Sequence, residues 1–588
     1  MSFFLGMVSL GSRPLSNSDR RKIEGPITGA PGRVFRFDTP YAAIRKIDLG
    51  AFNDEGFASG PAGVAAVAGH PLLPSIAGAA KFPSGRGAAS LKQASLTELE
   101  ELATSARGSW AAIRYAEAPR ELTLVSDRMG ARPIYWSIDA QVAVFGSTLS
   151  SVASVRSDEV RVDLRAVVEE MILGYALGDR TAYESIRRIG ASEIVRLSET
   201  GFSVRTYAEW PSLADPDPHL DRLAHATYAA FSEAVALRAS GCTEAVTFLS
   251  GGMDSRAVNA LLHAQGLRIH AFTFSPDNRL DGALAASYAG RLGLRHIVRP
   301  DLGGANPDFA KSLSQAWSEE MNDPDRKRLR NLLPAWSGDG GSVCGGWVYV
   351  TPSISRALRQ DRPYEAIKEF LQRYAAAVAP GDVVPEARHW LQTAVPDGIM
   401  EELERSKAAD PLLRFFHFLL RNDQRRHLDR HHENILVHGV EFWLPFLDTD
   451  FLLHTLSAPP DDSMGHGFYS RWFDLLPAHA RTVAWQTYPG HRPCPLPLPE
   501  DIDSQWVGLT ANEREAKVSR TLLLSREALS PAFPSEFFLR RRFLLRFAAH
   551  HLGVKDSGGA FEQLHLLNKY RTTAAGVKLP WQNRQSTS

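Results

Sequence analysis

The chain reads as an α/β protein of two or more domains, on three observations. Its 588 residues exceed what one ordinary hydrophobic core organises. From Ala245 onward, apolar strands alternate with amphipathic helical stretches, the pattern of a doubly wound parallel sheet. Ahead of that region, Leu124 to Trp136 reads as strand, Gly-containing turn and strand, which points to a β-rich sandwich.

The second half can be justified element by element. Ala245-Val246-Thr247-Phe248-Leu249 is an apolar run of buried-strand length. Arg256 to Gln265 is helical, with Ala257, Val258, Leu261 and Leu262 on one face and Gly266 placed to end it. Arg268 to Ser275 forms a second strand, Asp281 to Gly293 a second helix, and Leu294 to Val298 a third strand. Sheets of this kind bind ligands beyond the carboxyl ends of their strands.

Ser250-Gly251-Gly252-Met253-Asp254-Ser255 lies at such an end. Standing alone, the string is an ordinary turn. Between a strand and a helix start it is a phosphate cradle: the glycines admit an anion to the backbone N–H groups, and the helix end adds partial positive charge. Asp254 sets a carboxylate where Mg2+ can bridge to the same phosphates. No G-x-x-x-x-G-K-[ST] string is present, so the Walker-type loop is not the reading.

Composition bounds the function class. Hydrophobic residues are 44% and charged residues 22%, as in globular proteins. Lys plus Arg equals Asp plus Glu at 66 each, so the whole chain carries no nucleic-acid signature. No run of about 18 apolar residues suits a membrane span. Met1 to Leu10 is apolar but lacks a charged n-region and is too short for export or anchoring. Cys242, Cys344 and Cys494 form neither a disulfide framework nor a zinc pattern, so a cytoplasmic protein is expected. His431-His432 reads as surface or packing rather than as a metal site.

In its strand–helix setting, the 250–255 loop resembles those of the pyrophosphate-loop ATP enzymes and, within them, the asparagine synthetase group. Asp127-Arg128-Met129-Gly130-Ala131-Arg132-Pro133-Ile134-Tyr135 is similar to that family's D-R-x-G-x-x-P-L-Y hairpin. Val144 to Ser147, Thr181 to Ile189 and Tyr207 to Trp210 resemble later parts of its amino-terminal domain, which has the N-terminal-nucleophile glutaminase fold. The resemblance implies a glutaminase-like α+β sandwich over residues 1–212, then an ATP-pyrophosphatase domain over 213–588. A glutaminase of this fold needs Cys after the initiator Met, and this chain has Ser2. The family's R-G-P-D and N-G-E strings are also missing, Gly69-His70 being the nearest remnant of the latter. The domain is therefore expected to be degenerate and silent toward glutamine, leaving the amine to arrive with the substrate.

Three further segments carry the resemblance. Ser337-Gly338-Asp339-Gly340-Gly341-Ser342-Val343 resembles S-G-E-G-A-D-E, a turn that closes over the adenylate; Asp339 replaces Glu, and Ser342 replaces an Asp that is a magnesium ligand in relatives. Glu441 to Asp448 resembles E-x-R-x-P-F-L-D with Trp443 in place of Arg, and reads as packing and site support. Ala484 to Pro495 is similar to lasso-peptide cyclases, macrolactam synthetases of the same ancestry. In synthetases this region supplies a lysine; no lysine occurs here between Lys407 and Lys517, and His491 or Arg492 is the candidate substitute. Five prolines from Pro489 to Pro499 argue for a stiff extended segment, which also suits a linker.

The resemblance implies an ATP-dependent ligase using ATP and Mg2+. Ser250, Gly251, Gly252 and Ser255 would hold pyrophosphate, Leu249, Phe274 and Ser275 would line the adenine, and Gly338 lies in the closing turn. Asp254 and Asp339 are the metal candidates; Asp339, His491 and Arg492 are the catalytic candidates. A precursor peptide is the implied substrate, walled by His427 to His432 and Tyr488 to Arg492, with a leader-peptide-binding protein and a protease as partners. An asparagine synthetase fed by free ammonia, a β-lactam-type ligase and a nucleotide-free scaffold remain alternatives.

Overall fold

The computed structural model describes residues 2–581 apart from 31, 53, 74–86, 157–159, 212–218, 276–278, 301–308, 333, 434–439, 500–501 and 503–510. The expected domain boundary at residue 212 and the side chain of His427 fall outside the described residues.

The amino-terminal region stacks two six-stranded antiparallel sheets. One runs in the order Arg187–Arg188, Tyr135–Asp139, Val142–Gly146, Phe3–Ser9, Ala42–Asp48, Arg33–Asp38. The other runs Gly201–Thr206, Glu193–Ser198, Arg120–Ser126, Trp110–Glu117, Gly63–Gly69, Phe57–Gly60. Alternation along the strands makes the layers. Phe4 and Val8 point between the sheets, where they join Ile44, Ile113, Leu124 and Phe145. Phe3, Leu5 and Met7 point the other way, into a core shared with Ile23, Ile27 and Val152 on flanking helices. Beyond the second sheet, Val67 and Ala112 pack against Leu91, Leu99 and Leu102. The result is helix, sheet, sheet, helix, each layer buried by a period-two or helical apolar face.

The second region is built on a five-stranded, all-parallel sheet. Its order is Arg295–Arg299, Arg268–Phe274, Glu244–Phe248, Ala335–Trp336, Phe442–Trp443. In chain order this is 3-2-1-4-5, so the direction of winding reverses between Glu244–Phe248 and Ala335–Trp336. That reversal is the topological switch point, and both the 250–255 loop and the 337–343 turn leave the sheet there. Helices Asp254–Ala264 and Leu280–Leu292 match the sequence expectation within two residues, the second closed by Gly293 in the left-handed conformation (φ 63°). Ala335–Trp336 and Phe442–Trp443 were not foreseen as strands.

The regions are joined by more than succession. Gly576–Lys578 returns to pair in parallel with Arg161–Asp163 of the amino-terminal region. Residues 484–499, of which Pro489 to Pro499 was expected to be stiff and extended, contain no helix or strand.

Candidate functional site

Two pockets are built from the residues the sequence singles out. The first is at the switch point. Ser250 N–H donates to Ser255 Oγ at 2.9 Å, Gly252 N–H donates to Ser250 Oγ at 3.3 Å, and Gly251 N–H donates to Asp281 Oδ1 at 2.9 Å. The loop is thus held in a tight curl, each of these amides having an intramolecular partner. Gly251 allows it: a Cβ there would lie 2.9 Å from the Asp281 backbone. Leu249 is buried, its N–H bonded to Phe272 C=O at 2.9 Å and its C=O receiving Thr273 Oγ1 at 2.7 Å. Phe274 is half-buried and Ser275 buried at the end of the adjacent strand.

The 337–343 turn closes on this loop. A Cβ on Gly338 would stand 2.5 Å from Ser255 N, and one on Gly341 would stand 2.5 Å from Asp254 Cγ. Both approaches need glycine, which ties the two motifs into one site. Ser337 Oγ donates to Asp339 Oδ2 at 2.8 Å, and Asp339 stays half-buried and reachable.

Asp254 is the hub. Its Oδ1 accepts from Ser342 Oγ at 2.9 Å and from Tyr469 Oη at 2.7 Å, and its Oδ2 accepts from Ser342 N–H at 2.9 Å. Burial pushes its carboxyl above the usual range; the Tyr469 and Ser342 hydrogen bonds pull the other way and the nearby Asp339 charge adds to the rise. Among the described residues no group of three or more His, Cys, Asp or Glu side chains forms a cage for a metal. Two neighbouring carboxylates, Asp254 and Asp339, nevertheless suit Mg2+, which binds through one or two carboxylates plus substrate phosphates rather than in an all-protein cage.

The proline-rich segment reaches this hub through histidines. His466 Nε2 is 3.0 Å from Ser342 Oγ, and His466 Nδ1 is 2.7 Å from His491 Nδ1. Burial, with His491 second, lowers the His466 pKa to about 3, so its imidazole is neutral. Tyr488 stacks on His466 with ring centroids 5.7 Å apart. Gln486 N–H donates to Gly251 C=O at 2.9 Å. Arg256, fully buried in the loop's helix, donates to Ala484 C=O at 2.8 Å and lies over Tyr288 and Trp485. His491 is therefore joined to the pocket; Arg492 is exposed, with its N–H bonded to Gly465 C=O at 3.1 Å. One expected peptide wall is corrected: His431 and His432 are buried, His431 against Phe442 at 5.3 Å, so both face the core.

Sequence reasoning missed Tyr469, His466 and the role of Asp281. Asp281 is recognisable as a helix start, but nothing local signals its reach back to Gly251.

The second pocket is in the amino-terminal region, around Ser2. Ser2 Oγ donates to Asp48 Oδ2 at 3.3 Å, and Lys46 Nζ donates to the same oxygen at 2.6 Å. Ser2 N–H donates to Glu441 Oε1, and Arg132 donates to Glu441 Oε2 at 2.8 Å. Glu441 is wholly buried (0% exposed) although it comes from the other region. Beside it, Trp443 forms an aromatic trio with Phe52 (5.0 Å) and His70 (5.2 Å). His70 of the Gly69-His70 pair is thus walled by Trp443 from the other region.

Comparison with known proteins agrees with this two-part layout. Residues 91–208 match a glutamine amidotransferase domain and residues 226–469 an asparagine synthase domain. A provisionally named glutamine-hydrolyzing asparagine synthetase of Mycobacterium tuberculosis is 23% identical over 46% of this chain and 44% of its own length. Glutamine-hydrolyzing asparagine synthetase 3 of Bacillus subtilis is 25% identical over 28% of this chain and 26% of its own. The chain thus spans less than half the length of these curated relatives. Among solved structures, the allosteric regulatory enzyme of purine biosynthesis shows 13% identity over 46% of this chain and 64% of that chain, with a TM-score of 0.24. Glutamine phosphoribosylpyrophosphate amidotransferase of B. subtilis shows 12% over 51% and 91%, with a TM-score of 0.25. No helix among the described residues is long and apolar enough to cross a membrane.

Proposed function

The chain belongs to the asparagine synthetase family, and from that premise we propose that it is an ATP-dependent carbon–nitrogen ligase that works through an acyl-adenylate. A substrate carboxylate oxygen attacks the α-phosphorus of ATP and pyrophosphate leaves. An amine nitrogen then attacks the activated carbonyl carbon, AMP departs with the C–O electron pair, and the nitrogen gives up a proton. The observation that carries this reading is the convergence of the 250–255 loop and the 337–343 turn on Asp254 at the switch point.

This chain's residues have definable tasks in such a reaction. The loop amides and the hydroxyls of Ser250 and Ser255 exchange their internal partners for pyrophosphate oxygens, where fixed donors stabilise the leaving charge. Leu249, Phe274 and Ser275 line the adenine side. Asp254 with Asp339 would hold Mg2+ carried by the nucleotide, which neutralises triphosphate charge. Asp339, half-buried in the 337–343 turn, is the acceptor for the amine proton, and His491 is the second candidate.

The substrate we infer is a ribosomally made precursor peptide whose Asp or Glu side chain is joined to its own N-terminal amine, as in lasso-peptide cyclases. Both reactants then belong to one molecule and the pocket acts by proximity. Three features support this: the W-Q-T-Y-P-G-H wording, seated against the site; the Ser2 region, whose N–H is bonded to Glu441 and whose neighbours Phe52 and His70 pack on Trp443; and the lack of the family lysine. A leader-peptide-binding protein and a protease are the partners this pathway requires, and its setting is the cytoplasm, where the three free thiols would persist.

The test is ATP–pyrophosphate exchange, followed by mass spectrometry of a candidate peptide. Peptide-dependent exchange and loss of one water are expected. Exchange driven by free aspartate instead would assign a small-substrate ligase, and absence of Mg-ATP binding would assign a scaffold.

A further inference from the structure

Asp254, Ser342, His466 and His491 form one hydrogen-bonded chain. The Ser342 hydroxyl donates its only proton to Asp254 Oδ1 at 2.9 Å. With that proton spent, Ser342 Oγ can only accept from His466 Nε2–H at 3.0 Å. His466 Nδ1 lies 2.7 Å from His491 Nδ1, and the His491 ring also bonds the Val348 backbone.

The backbone is shaped to hold this arrangement. His466 is 3% exposed and sits in the left-handed region at φ 64°, uncommon for a residue with a side chain. Its N–H donates to Gly346 C=O at 3.1 Å, and a Cβ on Gly346 would lie 2.4 Å from His466 Nε2. The ring is pressed onto the turn carrying Ser342 from one side and stacked by Tyr488 on the other.

We propose that His466 is a positioning residue: it orients the Ser342 hydroxyl toward Asp254 and thereby couples the metal-binding carboxylate to the proline-rich segment through His491. The proposal rests on the ligase reading above. It gives Ser342 a task as the middle of a directed chain rather than as a weak metal ligand. It also states how a peptide seated on residues 488–492 would tighten the nucleotide pocket.

The test uses the full-length protein and four variants: His466→Asn, His466→Gln, Ser342→Ala, and His466→Asn with Ser342→Ala. Asn tolerates the left-handed backbone but is too short to reach Ser342, whereas Gln restores a donor at greater reach. Calorimetric titration with ATP at varied Mg2+ is the binding readout, and magnesium dependence of pyrophosphate exchange is the kinetic one. Each single loss variant is expected to weaken Mg2+-dependent ATP binding about tenfold, in line with outer ligand partners elsewhere. The double variant should be no worse than the poorer single, and Gln should recover most of the loss. Unchanged magnesium dependence in His466→Asn, or additive losses in the double variant, would overturn the proposal while leaving the ligase reading standing. Failure of the unmutated protein to bind Mg-ATP would overturn both.

Discussion

The pocket around Ser2 and the pocket around Asp254 were both predicted as remnants or centres of chemistry, yet they are built in opposite ways. Around Ser2 the charges are spent internally: Glu441 bridges Ser2 and Arg132 with no exposure, and Trp443, Phe52 and His70 fill the adjoining space. Around Asp254 the polar groups are held by hydrogen bonds on one side and stay reachable on the other, with Gly252, Gly338 and Asp339 half-buried. Charges paired internally make structure, whereas polar groups held on one side only keep a face whose partners are replaceable. Ordinary hydrogen bonds net about 0.5–1.5 kcal/mol, so exchanging loop contacts for phosphate contacts is inexpensive, whereas opening a buried charge pair costs several times more.

That contrast can be broken most sharply at Asp254. Asp254→Asn keeps an acceptor for the Tyr469 and Ser342 hydroxyls but removes the charge and sets an amide NH2 against the Ser342 N–H; pyrophosphate exchange should fall about a thousandfold, with a fall in the thermal melt that leaves the protein folded at assay temperature. Full exchange would remove Asp254 from the site. Glu441→Ala should do the reverse, destabilising the protein by about 3–5 kcal/mol in urea titration because Arg132 is left buried without its partner. Its exchange rate per folded molecule should hold. Gly338→Ala forces a methyl onto Ser255 N; we expect about 1–3 kcal/mol of strain and a larger loss in nucleotide affinity than in stability, read by calorimetry. The smallest effect belongs to Ser2→Ala, which should leave ATP-dependent ligation unchanged. A large loss rescued by added ammonia would show that the amino-terminal pocket still works.

How much was legible beforehand depended on the range of the interaction. The strand, loop and helix from Ala245 to Gln265 were plain because apolar run, glycines and helical face sit side by side. Ala335–Trp336 and Phe442–Trp443 were not, since two residues carry no period to detect. Packing was correctly expected for Trp443, but its partners Phe52 and His70 lie in another domain and nothing local announces them. The same holds for His466: Ser342 and His491 meet it from distant stretches of chain, through a backbone turn that only the assembled fold enforces.

The parallel pairing of Gly576–Lys578 with Arg161–Asp163 has a temporal consequence. During synthesis the earlier strand emerges hundreds of residues ahead of its mate; the two form a two-stranded sheet of their own, so the side of Arg161–Asp163 that pairs with residues 576–578 waits until the later strand clears the ribosome. Maturation therefore closes like a clasp: a bulky tag or premature stop near residue 576 should disturb the half of the molecule that was made first.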